Sequence, residues 1–346
     1  RKEKKQKAEQ DRENFLEETG KLLERKHGPE GADSVWFRRM RKEKAFGYQL
    51  LIREYGRDRE KAAQLIGNVG EALARLRLEE YEEEKAETAL AVFAAAVSGS
   101  PHYFDRGTAA GQLLVSAVCC CMDRELPKGT HEWRELLLQA GIAPDLISSS
   151  IHAYGLHLRT AEGEHPAYAV FCRRKEACVV TRENLKGIVG AEAEGNTVFV
   201  VENEMVFSFL TGFLAEREED CGLTLLCTSG QPRTAALQVL SLLDEAGCLI
   251  RYSGDMDPEG IDIADRLWKR FGQMLEIWRM APEDYRNGLS EERIDGKRMS
   301  RLCHVENPIL RETSEQVRKT GLAAYQENIL NELTADLQEY IHSKAK

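Results

Sequence analysis

The chain has 346 residues, 42% of them hydrophobic, and a net charge of −10 from 58 acidic and 48 basic side chains. That length allows two or three domains, and the acidic balance argues against a protein that wraps nucleic acid by bulk charge, so any DNA contact must run through a local patch, bound metal ions or a partner. The longest apolar run, Leu90 to Gly99, is too short to span a membrane, and the opening RKEKKQKAEQ lacks the apolar core of a secretory signal; a cytoplasmic location is expected.

Residues 1–100 read as helices forming an arm or N-terminal domain. Ala62, Leu65, Ile66, Val69, Leu73 and Leu76 recur at helical spacing. Up to about His27 the chain is mostly charged, with Phe15, Leu16, Leu22 and Leu23 as its few core positions, so this stretch is expected to be a solvated helix or contact arm. SGSPHYFDRGT (Ser98 to Thr108) breaks the pattern with Gly, Pro and Asp and suggests a domain boundary.

Residues 101–187 read as a winged helix-turn-helix domain. HEWRELLLQAGI suggests one helix ending at Gly141, and APDLISSSIHAYGL a second restarting at Pro144. EGEHPAYAVFCRRKEACVV suggests a turn and two β-prone runs, the expected wing. Arg159, Arg173, Arg174 and Lys175 form the basic cluster near it and are candidate DNA contacts. Ser148, Ser149 and Ser150 specify nothing alone, and the same elements also suit a scaffold that touches no DNA.

Nine cysteines, three of them consecutive at Cys119–Cys121, suggest buried small hydrophobes rather than a disulfide framework. His152 and His157 have zinc-finger-like spacing, but no C-x-x-C pair completes such a site.

Residues 188–346 read as an α/β domain with a C-terminal helical extension. NTVFVVE, LTLLCTSG and CLIRYSGD are apolar strands interleaved with the helices NEMVFSFLTGFLAERE, QPRTAALQVLSLLDEAG (Pro232 in its first turn) and PEGIDIADRLWKRF. That alternation predicts a parallel sheet covered by helices on both faces. Ligands of such sheets sit beyond the carboxyl ends of the strands, where Glu202, Ser229, Gly230, Asp255 and Asp257 fall.

Asp255 and Asp257, one residue apart at a strand end, repel each other unless a cation lies between them. With Glu202 they make a hard oxygen set suited to Mg²⁺ or Mn²⁺ in a two-metal site for phosphodiester chemistry. Pro258 and Gly260 start a helix whose N–H groups are expected to face a phosphate. Asp255 also suits a helix N-cap, and Glu204 is a solvated neighbour of Glu202. Glu327 in YQENIL is expected at the surface or in a dimer contact. The sequence holds no G-x-x-x-x-G-K-[ST] phosphate loop, so any ATP-driven step belongs to a partner.

A strand ending in Glu and, 255 − 202 = 53 residues later, a D-x-D-x-x-G strand end resemble a Toprim domain. GDMDPEGIDIA is similar to the motif of the topoisomerase VI A subunit. From Ser98 onward, SPHYFDRGTAAGQLL, VVEN, SGQP, YSGDMDPEGIDIADRLW, WRMAPEDYRNGL and AAYQENILNEL together resemble the JetD family, the nuclease subunits of bacterial Wadjet plasmid-defence systems. The resemblance implies a homodimeric, metal-dependent DNA endonuclease that cuts closed circular double-stranded DNA. Its implied partner is an SMC-type ATPase complex with kleisin and winged-helix subunits.

Residue by residue, Glu202 matches the Toprim glutamate, Asp255 and Asp257 its D-x-D, and Ser229 and Gln231 the loop after the second strand. Glu259 stands where topoisomerase VI has an aromatic, which unsettles topoisomerase-like substrate contacts. The rival readings are a transesterase using Tyr154 or Tyr168 and a non-catalytic DNA-binding subunit. A primase lacks its zinc module, and a receiver-type phosphoacceptor needs a Lys on a later strand, and no convincing strand of that kind is expected after Phe271.

Overall fold

The structure, a computed structural model, describes residues 2–76, 88–144, 149–217 and 222–344. The chain is a mixed, multidomain α plus α/β protein, and it divides into two compact units, 1–145 and 146–346.

The first unit contains α1 (Lys2–His27), α2 (Ala32–Glu43), α3 (Tyr48–Arg57), α4 (Arg59–Arg75), α5 (Leu90–Ser98), α6 (Ala109–Met122) and α7 (Thr130–Gln139). A two-residue parallel pair joins β1 (Thr88–Ala89) to β2 (Ile142–Ala143). In α4 the residues at helical spacing are the buried ones, Ala62 through Leu73, and Asp58 caps the helix by accepting from the N–H groups of Glu60 and Lys61. Phe15, Leu16 and Leu23 of α1 enter the same core as Trp36, Phe37 and Leu113, while Leu22 faces solvent. The N-terminal helix is therefore a packed element and not a detached arm.

The break at Ser98 to Thr108 is likewise a turn inside this unit. Thr108 caps α6 through the Gly111 N–H at 2.9 Å, and Phe104 is buried in the shared core. Gly111 is required because a Cβ there would lie 2.2 Å from the Asp105 carbonyl oxygen.

The second unit is built on a six-stranded sheet. Its elements in chain order are β3 (Ser150–Tyr154), β4 (Leu156–Thr160), β5 (Gly163–Glu164), α8 (Pro166–Arg174), β6 (Cys178–Thr181), β7 (Ile188–Ala193), β8 (Thr197–Val201), α9 (Glu204–Ala215), β9 (Thr224–Cys227), α10 (Thr234–Glu245), β10 (Leu249–Ser253), α11 (Pro258–Phe271) and β11 (Leu275–Ile277). There follow α12 (Pro282–Asn287), β12 (Leu289–Arg293), α13 (Gly296–Met299), α14 (Pro308–Thr320), β13 (Leu322–Ala324) and α15 (Leu330–Lys344).

The strand order is β11-β10-β8-β9-β3-β6. β9, β8, β10 and β11 run parallel, and β3 and β6 complete the other edge antiparallel. Val198 to Val201 and Leu225 to Cys227 are fully buried, as their unbroken apolar runs require of central parallel strands. Smaller sheets order as β5-β4-β7 and β12-β13.

Several expectations need correction. Ser150–Tyr154 is a strand, so the second helix of the expected helix-turn-helix does not form there; Ser148 lies outside the described residues. Buried Ile151, Ala153, Leu156 and Leu158 sit two apart on either side of a Gly155 turn, and period two is a strand signal. The expected wing becomes the helix α8, with Pro166 in its first turn, followed by β6. Pro232 precedes α10, which begins at Thr234, and the Ser149 hydroxyl accepts the Ala235 N–H at 2.9 Å. The strand that directly follows Phe271, β11, pairs with β10 and carries Leu275, Glu276 and Ile277, with no lysine.

Candidate active site

β8 is flanked by β9 on one side and β10 on the other. The chain leaves β8 toward β9, then crosses back to β10 and continues outward to β11. The reversal lies between β8 and β10, and the crevice beyond the carboxyl ends of such a strand pair is where open α/β sheets bind ligands. Val201 and Ser253 are in register at those ends. The next residues, Glu202 and Gly254, are therefore level with each other, and the Glu202 N–H donates to the Ser253 carbonyl at 3.1 Å.

Glu202 turns toward the loop after β10, where its Oε2 accepts the Asp255 N–H at 3.2 Å. A Cβ on residue 254 would come within 2.7 Å of that oxygen, so glycine there is what admits the carboxylate. Asp255 is held from the C-terminal segment, accepting the Gln326 N–H at 3.0 Å. The Gln326 side chain, fully buried, donates to Ser253 Oγ at 2.9 Å and accepts the Asn203 N–H at 3.3 Å. Between the aspartates, Met256 bridges by backbone to Ala324 of β13.

Asp257, and not Asp255, is the N-cap of α11, accepting the Gly260 N–H at 2.8 Å. The Gly260 N–H expected to face a phosphate is thus taken by the second aspartate. Asp257 Oδ2 is also paired closely with Arg298, whose guanidinium reaches Glu259 at 2.8 Å and Glu292 at 3.4 Å. Arg298 supplies a positive charge to this acid cluster, and nothing in the local sequence pattern marked it.

Burial pushes Glu202 up to about 8, with the neighbouring Asp255 charge the next cause. Burial likewise pushes Asp255 up to about 6, against the Gln326 N–H bond and with further repulsion from Glu327 and Asp257. Asp257 is raised by burial and held back by its cap bond and by Arg298. These shifts have a direct stability consequence. Between the ordinary carboxylate range and about pH 8 the folded chain holds more protons on Glu202 and Asp255 than the unfolded chain does. Stability conferred by their protonation is therefore lost as pH rises through that window. In metal-free protein, melting temperature should fall between pH 5 and 8.5, and Glu202→Gln should flatten the fall. A thermal-shift series of both proteins checks this, and parallel profiles would count against it.

Among the described residues, no three His, Cys, Asp or Glu side chains stand close enough together to hold a metal ion as they are. Asp257 is turned to its cap and to Arg298. One observation still fits a hard divalent cation. The carboxylates of Glu202 and Asp255 are half-buried beside one another at a cost in ionisation. Beside them the Tyr252 hydroxyl is fully buried, with Thr228 as its partner. Glu202, Asp255 and Asp257 are the residues that would hold the ion.

The loop after β9 abuts the same edge. The Gly230 N–H donates to the Glu202 carbonyl at 3.0 Å. Ser229, at φ 54°, hydrogen-bonds His152 at 3.1 Å, and Gln231 is exposed. Glu204 is exposed, as expected of a solvated neighbour.

The basic cluster is elsewhere in the unit, on β4 and at the end of α8. Arg159 pairs with Glu192 and Arg174 with Glu176; Arg173 is exposed and Lys175 closes α8 in a left-handed conformation. At least two of the four charges are thus already partnered by carboxylates. His157 is bound by Glu164 and Glu194, which accounts for it without zinc. Tyr154 and Tyr168 are both buried, and burial pushes the Tyr168 hydroxyl up to about 12.

Two family models match the chain. Residues 1–158 match "Protein of unknown function N-terminus (DUF3323)", and residues 178–337 match "Protein of unknown function C-terminus (DUF2399)". The second spans the sheet from β6 to β11 together with Glu202, Asp255 and Asp257. No curated protein matches the chain.

Proposed function

We propose that the chain is a Mg²⁺- or Mn²⁺-dependent DNA endonuclease whose second unit is a Toprim domain, acting as the nuclease subunit of a JetD-type plasmid-defence complex. The observation that carries this reading is the placement of Glu202 and the Asp255–Asp257 pair at the ends of the two adjacent parallel strands where the chain reverses. The resemblance adds closed circular DNA as substrate, an SMC-type ATPase complex with kleisin and winged-helix subunits as partner, and a homodimer. No winged-helix element of this chain enters the proposal, because Ser150–Tyr154 and Cys178–Thr181 are strands of the main sheet.

When bound, divalent ions polarise the scissile phosphate and activate a water for attack. The chain's own residues do the rest. Glu202 must lose its proton, held up to about 8, before it acts as a ligand. Gln326 fixes Asp255 from behind, and the Asp257 cap ties the second ligand to the start of α11. Releasing Asp257 from Arg298 frees a guanidinium at the site mouth, where it suits a phosphate oxygen.

A tyrosine transesterase is less well supported, since an attacking phenol must reach the backbone and both Tyr154 and Tyr168 are buried. The test is plasmid cleavage with Mn²⁺ or Mg²⁺ by native protein and Asp257→Ala, with and without the SMC-type complex and ATP. Products are run before and after protease. Free ends that depend on Asp257 are expected. Protein-linked ends would move the assignment to the transesterase, and no cutting under any condition would leave a binding subunit.

A further inference from the structure

β6 is the last strand at one edge of the main sheet, and it lacks the devices that usually blunt an edge. It reads CVVT, with no charged residue, proline or bulge along its pairing with β3. The Arg182 N–H donates to the Ser149 carbonyl at 2.9 Å, which makes residues 182 and 149 a hydrogen-bonded pair. Antiparallel strands alternate bonded and non-bonded pairs. Val180 and Cys178 therefore bond to β3, while Val179 and Thr181 turn their N–H and C=O groups outward. The Thr181 N–H is taken by Asn184 Oδ1 at 2.9 Å. The Val179 N–H and C=O have no partner among the described residues, and the Val179 side chain is 47% exposed.

These groups border a groove of about 720 Å³ between β6 and α8. Tyr168 and Phe171 of α8 line one side, Cys178 and Val179 the other, and His152 of β3 lies between them. The volume is that of a site which encloses a ligand, and its two sides differ in chemistry. The strand side offers one donor and one acceptor at strand spacing, and an extended backbone answers both at once. The helix side offers aromatic surface to a side chain projecting from that backbone. A second copy's β6 would arrive with its own sheet and its own α8, more than a groove of this volume between strand and helix admits.

We propose that the groove between β6 and α8 docks an extended segment of a partner protein, which adds to the open edge of β6 as a further strand. Main-chain hydrogen bonds to Val179 supply affinity, and an apolar side chain set against Tyr168 and Phe171 supplies selectivity. An uncharged, regular edge strand invites pairing with any extended chain, and α8 standing beside it narrows that invitation to a single segment. The inference goes beyond the nuclease reading and does not depend on a metal ion.

The probe is a library of short, terminally blocked fluorescent peptides in which threonine alternates with one varied residue, titrated against the full chain by fluorescence polarisation. Native protein should hold members whose varied residue is aromatic or branched aliphatic. N-methylation of a bound peptide should weaken it at every second amide only, because alternate amides face β6. Val179→Pro removes the open donor and leaves the β3 bonds, a change that edge strands tolerate. It should weaken binding at least about tenfold, the scale of a lost hydrogen bond that leaves its partner unsatisfied. Ala167→Arg, at an exposed α8 position lining the same groove, should do the same by filling it, and it leaves β6 untouched should the proline variant melt early. The proposal is overturned if no library member binds native protein, if both variants bind as native protein does, or if N-methylation weakens every position alike. Self-association of native protein that Val179→Pro abolishes, read by analytical ultracentrifugation, would give the edge to a second copy and overturn the assignment to a partner.

Discussion

Asp255→Asn should abolish metal-dependent DNA cleavage while making the metal-free protein more stable. The carboxylate is half-buried and pushed up to about 6, so at pH 8 its ionised form opposes folding. Each unit of upward shift corresponds to about 1.4 kcal/mol between protonation states, and an uncharged isostere removes that cost. Asparagine retains an oxygen for the Gln326 N–H, so the bond that positions residue 255 survives. We expect a gain of about 1–3 kcal/mol at pH 8, equivalent to a few degrees in melting temperature for a unit of this size. Cleavage should drop by at least about a thousandfold, the scale expected when a metal ligand is lost from a site that relies on metal-activated water. Plasmid cleavage and differential scanning calorimetry of the same preparation decide it. A destabilised Asp255→Asn chain would mean that the carboxylate is structural.

The aspartate two residues on behaves differently, and the contrast is informative. Asp257 caps α11 and binds Arg298, so Asp257→Ala removes a helix cap worth about 1 kcal/mol. It also strips a partner from a guanidinium that still has Glu259 and Glu292. Activity should vanish in both variants, but apo stability should rise in one and fall or stay level in the other. Equal shifts of the same sign would undermine the assignment of the cap to Asp257.

The largest structural effect is expected at Gly260. A Cβ there would lie 2.2 Å from the Asp255 carbonyl oxygen and 2.9 Å from its carbon, a backbone obstruction that no rotamer change relieves. The conformation is helical, so the objection is space and not φ. Gly260→Ala must push the first turn of α11 away from the Asp255–Asp257 loop, at a cost of about 3 kcal/mol or more, the upper range of overpacking. Because Gly260 also donates to Asp257, the displacement moves both acids together. Circular dichroism melts should show a loss of roughly 5–10 °C, with cleavage lost even where the chain remains folded. A variant melting like native protein would mean that the tight turn at residues 255–260 is looser than this geometry implies.

How far the site was legible in the sequence follows from the range of the interactions that build it. Each of the three acids is next to a strong local signal. Glu202 ends the apolar run Val198 to Val201, and Asp255 and Asp257 lie between the β10 run and the Pro258 helix start. Those signals reach only a few residues along the chain, and they sufficed to put the acids at strand ends. The stretch from Ser150 to Thr181 was misjudged because period-two and period-3.6 patterns are hard to separate over five residues. Its strands become recognisable only once β3 is paired with β9 and β6.

The sequence by itself therefore determined the alternation of strand and helix after residue 190, the acids at the strand ends, and the glycine and proline that shape the loop between them. The tertiary structure decided that β10 lies beside β8, which turns two separate strand ends into one crevice. It also decided that Arg298, 41 residues after Asp257, supplies a cation there, and that Gln326, 71 residues after Asp255, holds that ligand. Helix and strand periodicity is set by backbone sterics and side-chain alternation within a few residues. Strand order and the return of a distant loop are set by which buried surfaces fit together, and that selection acts only once the chain has folded on itself.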